Sequence, residues 1–159
     1  MKKIFIILPF KESLNKNDAG AVSIFVKDTT KYSKYKKYIK IISSTDFKED
    51  KLYKNRNYIL NFFKKFKKKK IDIIEIHNRP EYLDHVRKYF PNTKIKIFFH
   101  NDPLSIRGSK TKKQRELIIK NSDQIIFISN WIQTQFFKEL KNINISSTRI
   151  IHHGVKKNK

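Results

Sequence analysis

A chain of 159 residues with 38% hydrophobic and 13% aromatic content is long enough for one globular domain and is not wholly disordered. The absence of cysteine excludes disulfides, thiolate chemistry and cysteine-ligated metals. The formal net charge of +23 is typical of nucleic-acid-binding proteins. However, lysine, isoleucine, asparagine, phenylalanine and tyrosine all have A/T-rich codons, and the base composition of an A/T-rich genome is the favoured explanation of the charge.

The first ten residues imitate a secretory signal, with two lysines followed by an apolar run. That run, Ile4–Leu8, ends at Pro9 and is shorter than the roughly 7–15 residues that a signal needs. No stretch approaches the roughly 20 apolar residues of a membrane span. We therefore expect a cytoplasmic protein.

Predicted strands and helices alternate along the chain. Several of the strands are apolar at nearly every position, which is typical of a parallel sheet covered by helices. The sequence therefore predicts an α/β, Rossmann-like, doubly wound and mainly parallel six-stranded sheet in the order 3-2-1-4-5-6, within residues 1–155, followed by a basic tail at 156–159. The predicted strands are Ile4–Leu8, Tyr38–Ser43, Ile71–His77, Lys94–His100, Gln124–Ser129 and Arg149–His152, and the predicted helices start near Gly20, Asn57, Pro80, Lys112 and Asn130.

Two of the apolar strands end in polar clusters, His77-Asn78-Arg79-Pro80 and His100-Asn101-Asp102-Pro103. Ligands of open α/β sheets bind beyond the carboxyl ends of the strands. We therefore expect a binding site there, with Gly20, His77, His100 and Asn130 at one rim. A dinucleotide site is disfavoured, because Gly20 stands alone where such a site needs Gly-x-Gly-x-x-Gly.

The two polar strand ends belong to a longer pattern along the chain. It consists of the runs DIIEIHNRPEY, PNTKIKIFFHNDP, RGS, SDQIIFISNWIQTQFF and RIIHHGV. In this pattern the chain resembles the N-terminal, acceptor-side domain of family 4 glycosyltransferases, which have the two-domain GT-B fold. The resemblance covers nearly the whole chain, and Gly20 matches a glycine-bearing loop of the family.

The resemblance implies transfer, with retention of configuration, from a nucleotide sugar to a glycan or glycolipid acceptor, as in cell envelope polysaccharide biosynthesis. The nucleotide sugar would be a co-substrate, so no cofactor is expected. In the family a donor-binding domain would follow Val155. Without one we expect a truncated gene, half of a split enzyme or a cropped fragment that is inactive alone and meets its donor only with such a domain.

The resemblance also assigns roles to residues. His100 lies where the family places a histidine that faces the sugar donor, and it is the candidate catalytic residue. Its position at a strand end predicts a ring outside the packed core, so that His100→Ala should cost little stability. Asn101 and Asp102 are candidates for acceptor hydroxyls, although aspartate before proline also commonly forms a turn.

The other candidate substrate-binding residues border the same cleft. His77, Asn78 and Arg79 can meet an acceptor sugar or its phosphate, or they merely start a helix. Gly20 permits close approach of an anion to a helix N-terminus. Arg107 begins a segment that either cradles a phosphate or is a solvated loop, and Asn130 is a candidate whose favoured interpretation is a helix cap.

Other functions stay open from the sequence. The chain can be a basic nucleic-acid-binding module, although Asp102 would repel phosphate and we expect no specific nucleic acid. It can also be a non-catalytic subunit that docks a separate donor domain. Phe62–Phe66 with Lys67–Lys70 can touch the inner face of a membrane, or form a core helix with a solvated end. No metal site is predicted, because the adjacent His152 and His153 would point to opposite faces.

Overall fold

A computed structural model describes residues 2–10, 12–14, 19–43, 58–141, 146–152 and 154. The predicted basic tail and the predicted start of a helix at Asn57 lie outside these residues. The described part of the chain forms one six-stranded sheet in which all neighbouring strands are parallel, which confirms the predicted fold class. The strands are Ile4–Ile7 (β1), Ile39–Ile42 (β2), Ile73–His77 (β3), Lys94–Phe99 (β4), Gln124–Phe127 (β5) and Thr148–Ile150 (β6).

Helices connect the strands, as the alternating pattern predicts. A short 3-10 turn at Pro80–Tyr82 precedes the third helix, since proline is favoured at the first helical turn but supplies no N–H. The helices are Ala21–Tyr32 (α1), Tyr58–Phe66 (α2), Leu83–Tyr89 (α3), Lys112–Asn121 (α4) and Asn130–Phe137 (α5).

The strand order is β2-β1-β3-β4-β5-β6, and the predicted order 3-2-1-4-5-6 is wrong. The physical reason is visible in β3, which lies between β1 and β4 and not at the edge, and in β2, which is the edge strand. In β2, Lys40 is exposed and Ile39 and Ile41 are only half-buried, as befits an edge strand. In β3, by contrast, Ile74 and Ile76 are fully buried between β1 and β4. The order therefore reverses between β1 and β3, and such a switch point is where ligands bind in open α/β sheets.

The two faces of the sheet are covered unequally. On one face α1 is the one described helix that packs against the sheet, through Val22 and Val26, which are buried beside Ile4 and Ile6. On the other face α2, α3, α4 and α5 bury one continuous core. That core includes Phe62, Phe63 and Phe66 of α2, so these three rings are inside the protein and not available to a membrane. Among the described residues no helix is both long and apolar enough to cross a membrane.

Because all six strands are parallel, their carboxyl ends meet at one edge of the sheet. Gly20 directly precedes α1, His77 ends β3, His100 follows β4, and Asn130 starts α5. The predicted common rim is therefore confirmed.

We expect Phe62→Ala to destabilise the fold by about 3–5 kcal/mol, the usual cost of removing a fully buried aromatic ring. The Phe62 ring lies 5.6 Å from that of Phe5 and 4.7 Å from that of Phe66, measured between centroids. Ile24→Ala on α1, where the side chain is 51% exposed, should change stability by no more than about 0.5 kcal/mol. Urea unfolding of the two variants measures both values, and equal costs would contradict this packing.

Candidate functional site

A cavity of about 540 Å³ opens at the carboxyl edge of the sheet, at the switch point between β1 and β3. The loops after β1, β3 and β4 form its walls, so residues distant in sequence meet there. Its lining is largely polar, and three of its four charged residues are cationic. It consists of Pro9, Phe10, Glu12, Val22, Asn78, Arg79, Asn101, Ser105, Ile106, Arg107 and Lys110.

Asn78 joins the ends of β3 and β4. Its backbone adopts the left-handed conformation with φ of 51°, which asparagine tolerates better than most residues. Its Oδ1 accepts a hydrogen bond from the backbone N–H of His100 at 2.8 Å, and its own N–H donates to the carbonyl of Phe98 at 2.9 Å. With 7% exposure, Asn78 holds the two strand ends together as well as lining the cavity.

Three cationic side chains converge on the cavity. Arg79 lies 3.8 Å from the Glu81 carboxylate, and its Nε is buried without a partner among the described residues. Arg107 and Lys110 are exposed and form no ion pair with any described residue. Burial raises the pKa of Glu81 even though Arg79 and Arg107 act to lower it. The cavity therefore offers more positive than negative charge, which suits an anionic ligand.

The segment from Arg107 to Lys110 is a tight loop and not the start of a helix. Gly108 has φ of +90°, and a Cβ there would lie 2.7 Å from the backbone nitrogen of Glu81. The loop thus requires glycine, and this close contact brings Arg107 beside Arg79. Helix α4 begins only after Thr111, whose hydroxyl accepts from the backbone N–H of Gln114.

The N-terminus of α1 is capped by the protein's own carboxylate. Glu12 accepts hydrogen bonds at Oε2 from the backbone N–H of Ser23, at 3.2 Å, and from its hydroxyl. A side chain at position 20 would clash with this carboxylate, so Gly20 makes room for Glu12. An anion approaching this helix end must therefore displace Glu12, a residue that the sequence analysis missed because it lies eight positions upstream of Gly20.

His77 and His100 form a buried pair. The distance between His77 Nδ1 and His100 Nε2 is 2.8 Å, and the rings are only 1% and 7% exposed. The edge of Phe25 on α1 packs against His100, with ring centroids 5.0 Å apart. The expectation that His100 lies outside the packed core is therefore wrong. Strand alternation points both rings towards α1, whose first two turns cover them.

Burial lowers the pKa of His77 well below its ordinary value of 6.5, and the neighbouring His100 lowers it further. His77 is therefore neutral at physiological pH. Neither histidine is among the residues that line the cavity. The structure thus places the candidate catalytic His100 behind the cavity wall, next to Asn78, rather than in the open cleft.

The remaining candidates differ in their surroundings. Asn101 is exposed and lines the cavity. Asp102 accepts at Oδ1 from the backbone N–H of Leu104 at 2.9 Å and is not among the lining residues, in keeping with the turn interpretation. Asn130 is not the helix cap, because Ser129 precedes it and accepts from the N–H of Ile132. Asn130 is exposed at the rim, outside the cavity lining.

A slightly larger cavity, of about 580 Å³, lies at the opposite, amino edge of the sheet. Lysines dominate its rim, namely Lys2, Lys67, Lys69, Lys70 and Lys94. Ligands of parallel sheets bind at the carboxyl edge, so size alone does not make it the candidate site. Among the described residues no group of three or more histidine, aspartate or glutamate side chains is placed to hold a metal ion.

No family model matches the sequence, and no curated protein matches it. Among solved structures the chain is similar to HepE (Alr3699) of Anabaena, solved in complex with UDP. The TM-score is 0.57 at 13% sequence identity, and the match covers 98% of this chain but 44% of the HepE chain. The likeness shows the fold: the chain has the Rossmann-like architecture of one half of a GT-B structure. It does not extend to membership of family 4.

We expect the stability of the protein to fall as the pH drops below about 6.5, by up to about 1.4 kcal/mol per pH unit for His77. The pKa of His77 is lower in the folded than in the unfolded chain, so the unfolded chain binds more protons in this range. The stabilisation is complete above pH 6.5 and is lost as the pH falls through the folded-state pKa. Urea unfolding at several pH values measures the slope.

The variant His77→Gln, which cannot become charged, should lose this part of the pH dependence. The variant His85→Gln, on the exposed side of α3, is the matched control and should retain it. Burial raises the pKa of Glu75, as it does that of Glu81, which has the opposite effect on stability. All three proteins share the contribution of the glutamates, so the comparison between them removes it. Equal pH dependence of the free energy of unfolding in all three would contradict the conclusion that His77 is buried and neutral.

Proposed function

We propose that this chain supplies the acceptor side of a retaining glycosyltransferase that uses a nucleotide sugar and a glycan or glycolipid acceptor. The observation that carries the proposal is the cationic cavity at the β1–β3 switch point. The fold also supports the proposal, because the chain shares it with a protein solved in complex with UDP.

In this proposal Arg107, Lys110 and Arg79 bind the charged part of the substrate. Arginine forms paired hydrogen bonds with phosphate oxygens, and the exposed guanidinium of Arg107 is free to do so. The close contact of Gly108 with the backbone of Glu81 joins the loops that carry Arg107 and Arg79, so that both side chains can face one bound anion. The charge and the geometry of the loop thus favour a phosphate or diphosphate group.

Neutral polar groups next to these cations are suited to sugar hydroxyls. Asn101 is exposed at the cavity, and Asn78 and Ser105 lie beside it. We propose that His100 is the catalytic residue and acts on the reacting sugar from behind the wall that Asn78 forms, since a neutral imidazole can hydrogen-bond a hydroxyl. The protein then contributes positioning and electrostatic support for the departing diphosphate.

The variant Arg107→Ala should weaken the binding of glucose 1-phosphate at least about tenfold, the usual cost of losing a hydrogen bond to a charged group. Arg149→Ala, which removes an exposed arginine on β6 that is not among the lining residues, should change the affinity less than about twofold. Isothermal titration calorimetry measures both. Equal losses in the two variants would mean that only net charge matters, which contradicts a specific site.

The same proteins also test the nucleic-acid alternative, which the lysines at the amino edge favour. A polyphosphate interaction requires a steep salt dependence that is independent of sequence. Binding of random single-stranded RNA with such a slope, unaffected by the sugar phosphate, would support that alternative and contradict the glycosyltransferase proposal.

We expect no glycosyl transfer from UDP-glucose by the 159-residue chain alone. Glu12 is the one carboxylate among the described lining residues, and the N-terminus of α1 engages it. His77 and His100 are hydrogen-bonded to each other behind the wall. No free base therefore faces the cavity within the described residues. Incubation with UDP-glucose and glycan acceptors, followed by mass spectrometry, tests this, and any transfer product would contradict the expectation.

A further inference from the structure

A second concave site lies on the face of the sheet that α1 covers, separate from the cavity at the carboxyl edge. It is a groove of about 420 Å³ between the second half of α1 and the sheet, to which strands β1, β2, β3 and β4 contribute. Strand alternation places Ile73, Glu75 and His77 along its floor, a span of roughly 13 Å at the usual rise of a strand. The groove is thus long enough for a small molecule and ends at His77.

Two residues that line this groove carry a buried side-chain atom without a partner among the described residues. Within the described part of the chain, five buried side-chain atoms have no hydrogen-bond partner. Two of the five, His77 Nε2 and Thr30 Oγ1, belong to residues that line this groove. His77 is 1% exposed, so bulk water does not solvate it freely. Buried polar groups are nearly always paired, so these two atoms are candidates for hydrogen bonds to a bound molecule.

The hydrogen bond between the two histidines determines whether His77 Nε2 donates a hydrogen bond to a ligand or accepts one from it. A neutral imidazole carries one N–H, and His77 and His100 share one hydrogen between Nδ1 and Nε2. If His77 donates, its own Nε2 is a bare acceptor. If His100 donates, His77 Nε2 carries a buried N–H that nothing accepts, and orphaned N–H groups are rarer than orphaned acceptors. The first arrangement is favoured, so the ligand must present an N–H or O–H.

The side chains that line the groove determine the shape and the charge of the ligand. The ring of Phe98 stacks on that of His77 with centroids 4.3 Å apart and planes 9° from parallel, and Phe25 and Tyr35 also line the groove. Glu75 and Lys96 pair with each other at 3.5 Å, so they neutralise one another. Lys2, the third charged lining residue, precedes β1 at the end of the groove away from His77, with its Nζ 5.3 Å from the centroid of the Tyr35 ring. The lining beside His77 therefore suits a flat and uncharged molecule.

We propose that the groove beside α1 binds a small neutral aromatic molecule whose N–H or O–H donates to His77 Nε2. Such a ligand touches His77 on the side opposite to His100. Through the hydrogen that the two rings share, it fixes the tautomer of the pair beside the candidate site.

The test uses indole, which has an aromatic N–H, and 1-methylindole, in which a methyl group replaces that hydrogen. With ¹⁵N-labelled histidine, NMR should show His77 Nε2 without a hydrogen in the free protein and a saturable shift of this nitrogen on addition of indole. The dissociation constant should be roughly millimolar for a ligand of this size. 1-Methylindole should leave the His77 Nε2 resonance unchanged.

A variant pair locates the binding. Thr29 lines the groove and is exposed, and Thr29→Trp should fill the groove and abolish the saturable shift. Lys27→Trp places the same ring at an exposed position of α1 that does not line the groove, and it should retain the shift. Circular dichroism verifies that both variants are folded.

Three outcomes would overturn the proposal. One is an Nε2 of His77 that already carries a hydrogen in the free protein. Another is an equal response to indole and 1-methylindole, which indicates apolar adhesion without the hydrogen bond. The third is no saturable response at all, which means that ordered water alone satisfies His77. None of these outcomes bears on the binding of sugar phosphate at Arg107, so the two proposals fail separately.

Discussion

The register between β3 and β4 is the constraint on which the site depends. His77 lies opposite Phe98, and Ile76 lies opposite Ile97. Because side chains alternate along a strand, the isoleucines enter the four-helix face while the histidines and Phe98 face α1. A slip of one residue would drive imidazoles into the apolar core and expose isoleucines, so the core enforces the register strongly. The histidine pair is thereby set by packing on the other side of the sheet.

Loop packing then decides where charge accumulates. Gly108 rests on the backbone of Glu81, and this contact brings Arg107 from the β4–α4 loop beside Arg79 from the β3–α3 loop. Two guanidinium groups held at one cavity by backbone contact create a positive potential that flexible side chains alone would avoid. On the opposite wall, Glu12 satisfies the N-terminus of α1. The cavity thus carries positive charge that the described residues leave largely uncompensated.

Sequence patterns predicted the features that depend on neighbouring residues. Strands, helices and the common rim follow from apolar runs, a proline at a helical start and the geometry of parallel strands. Features that depend on distant residues were missed or wrong. The strand order follows from the half-exposed edge strand β2 with Lys40, and the burial of His100 follows from Phe25 on α1. The carboxylate of Glu12, where the sequence suggested a bound anion beside Gly20, occupies the N-terminus of α1, and the cap of α5 is Ser129, where the sequence favoured Asn130.

The unequal covering of the sheet has a consequence for how the protein opens. Helix α1 is anchored by a small apolar cluster, whereas the other four helices share the large one. Partial unfolding proceeds through the units with the fewest buried contacts, so α1 is the element that detaches first. Its amide hydrogens then exchange with solvent before those of α2 or α3. Detachment would remove Phe25 from the histidines, release Glu12 and open the groove in one step, because α1 contributes a contact to each of them.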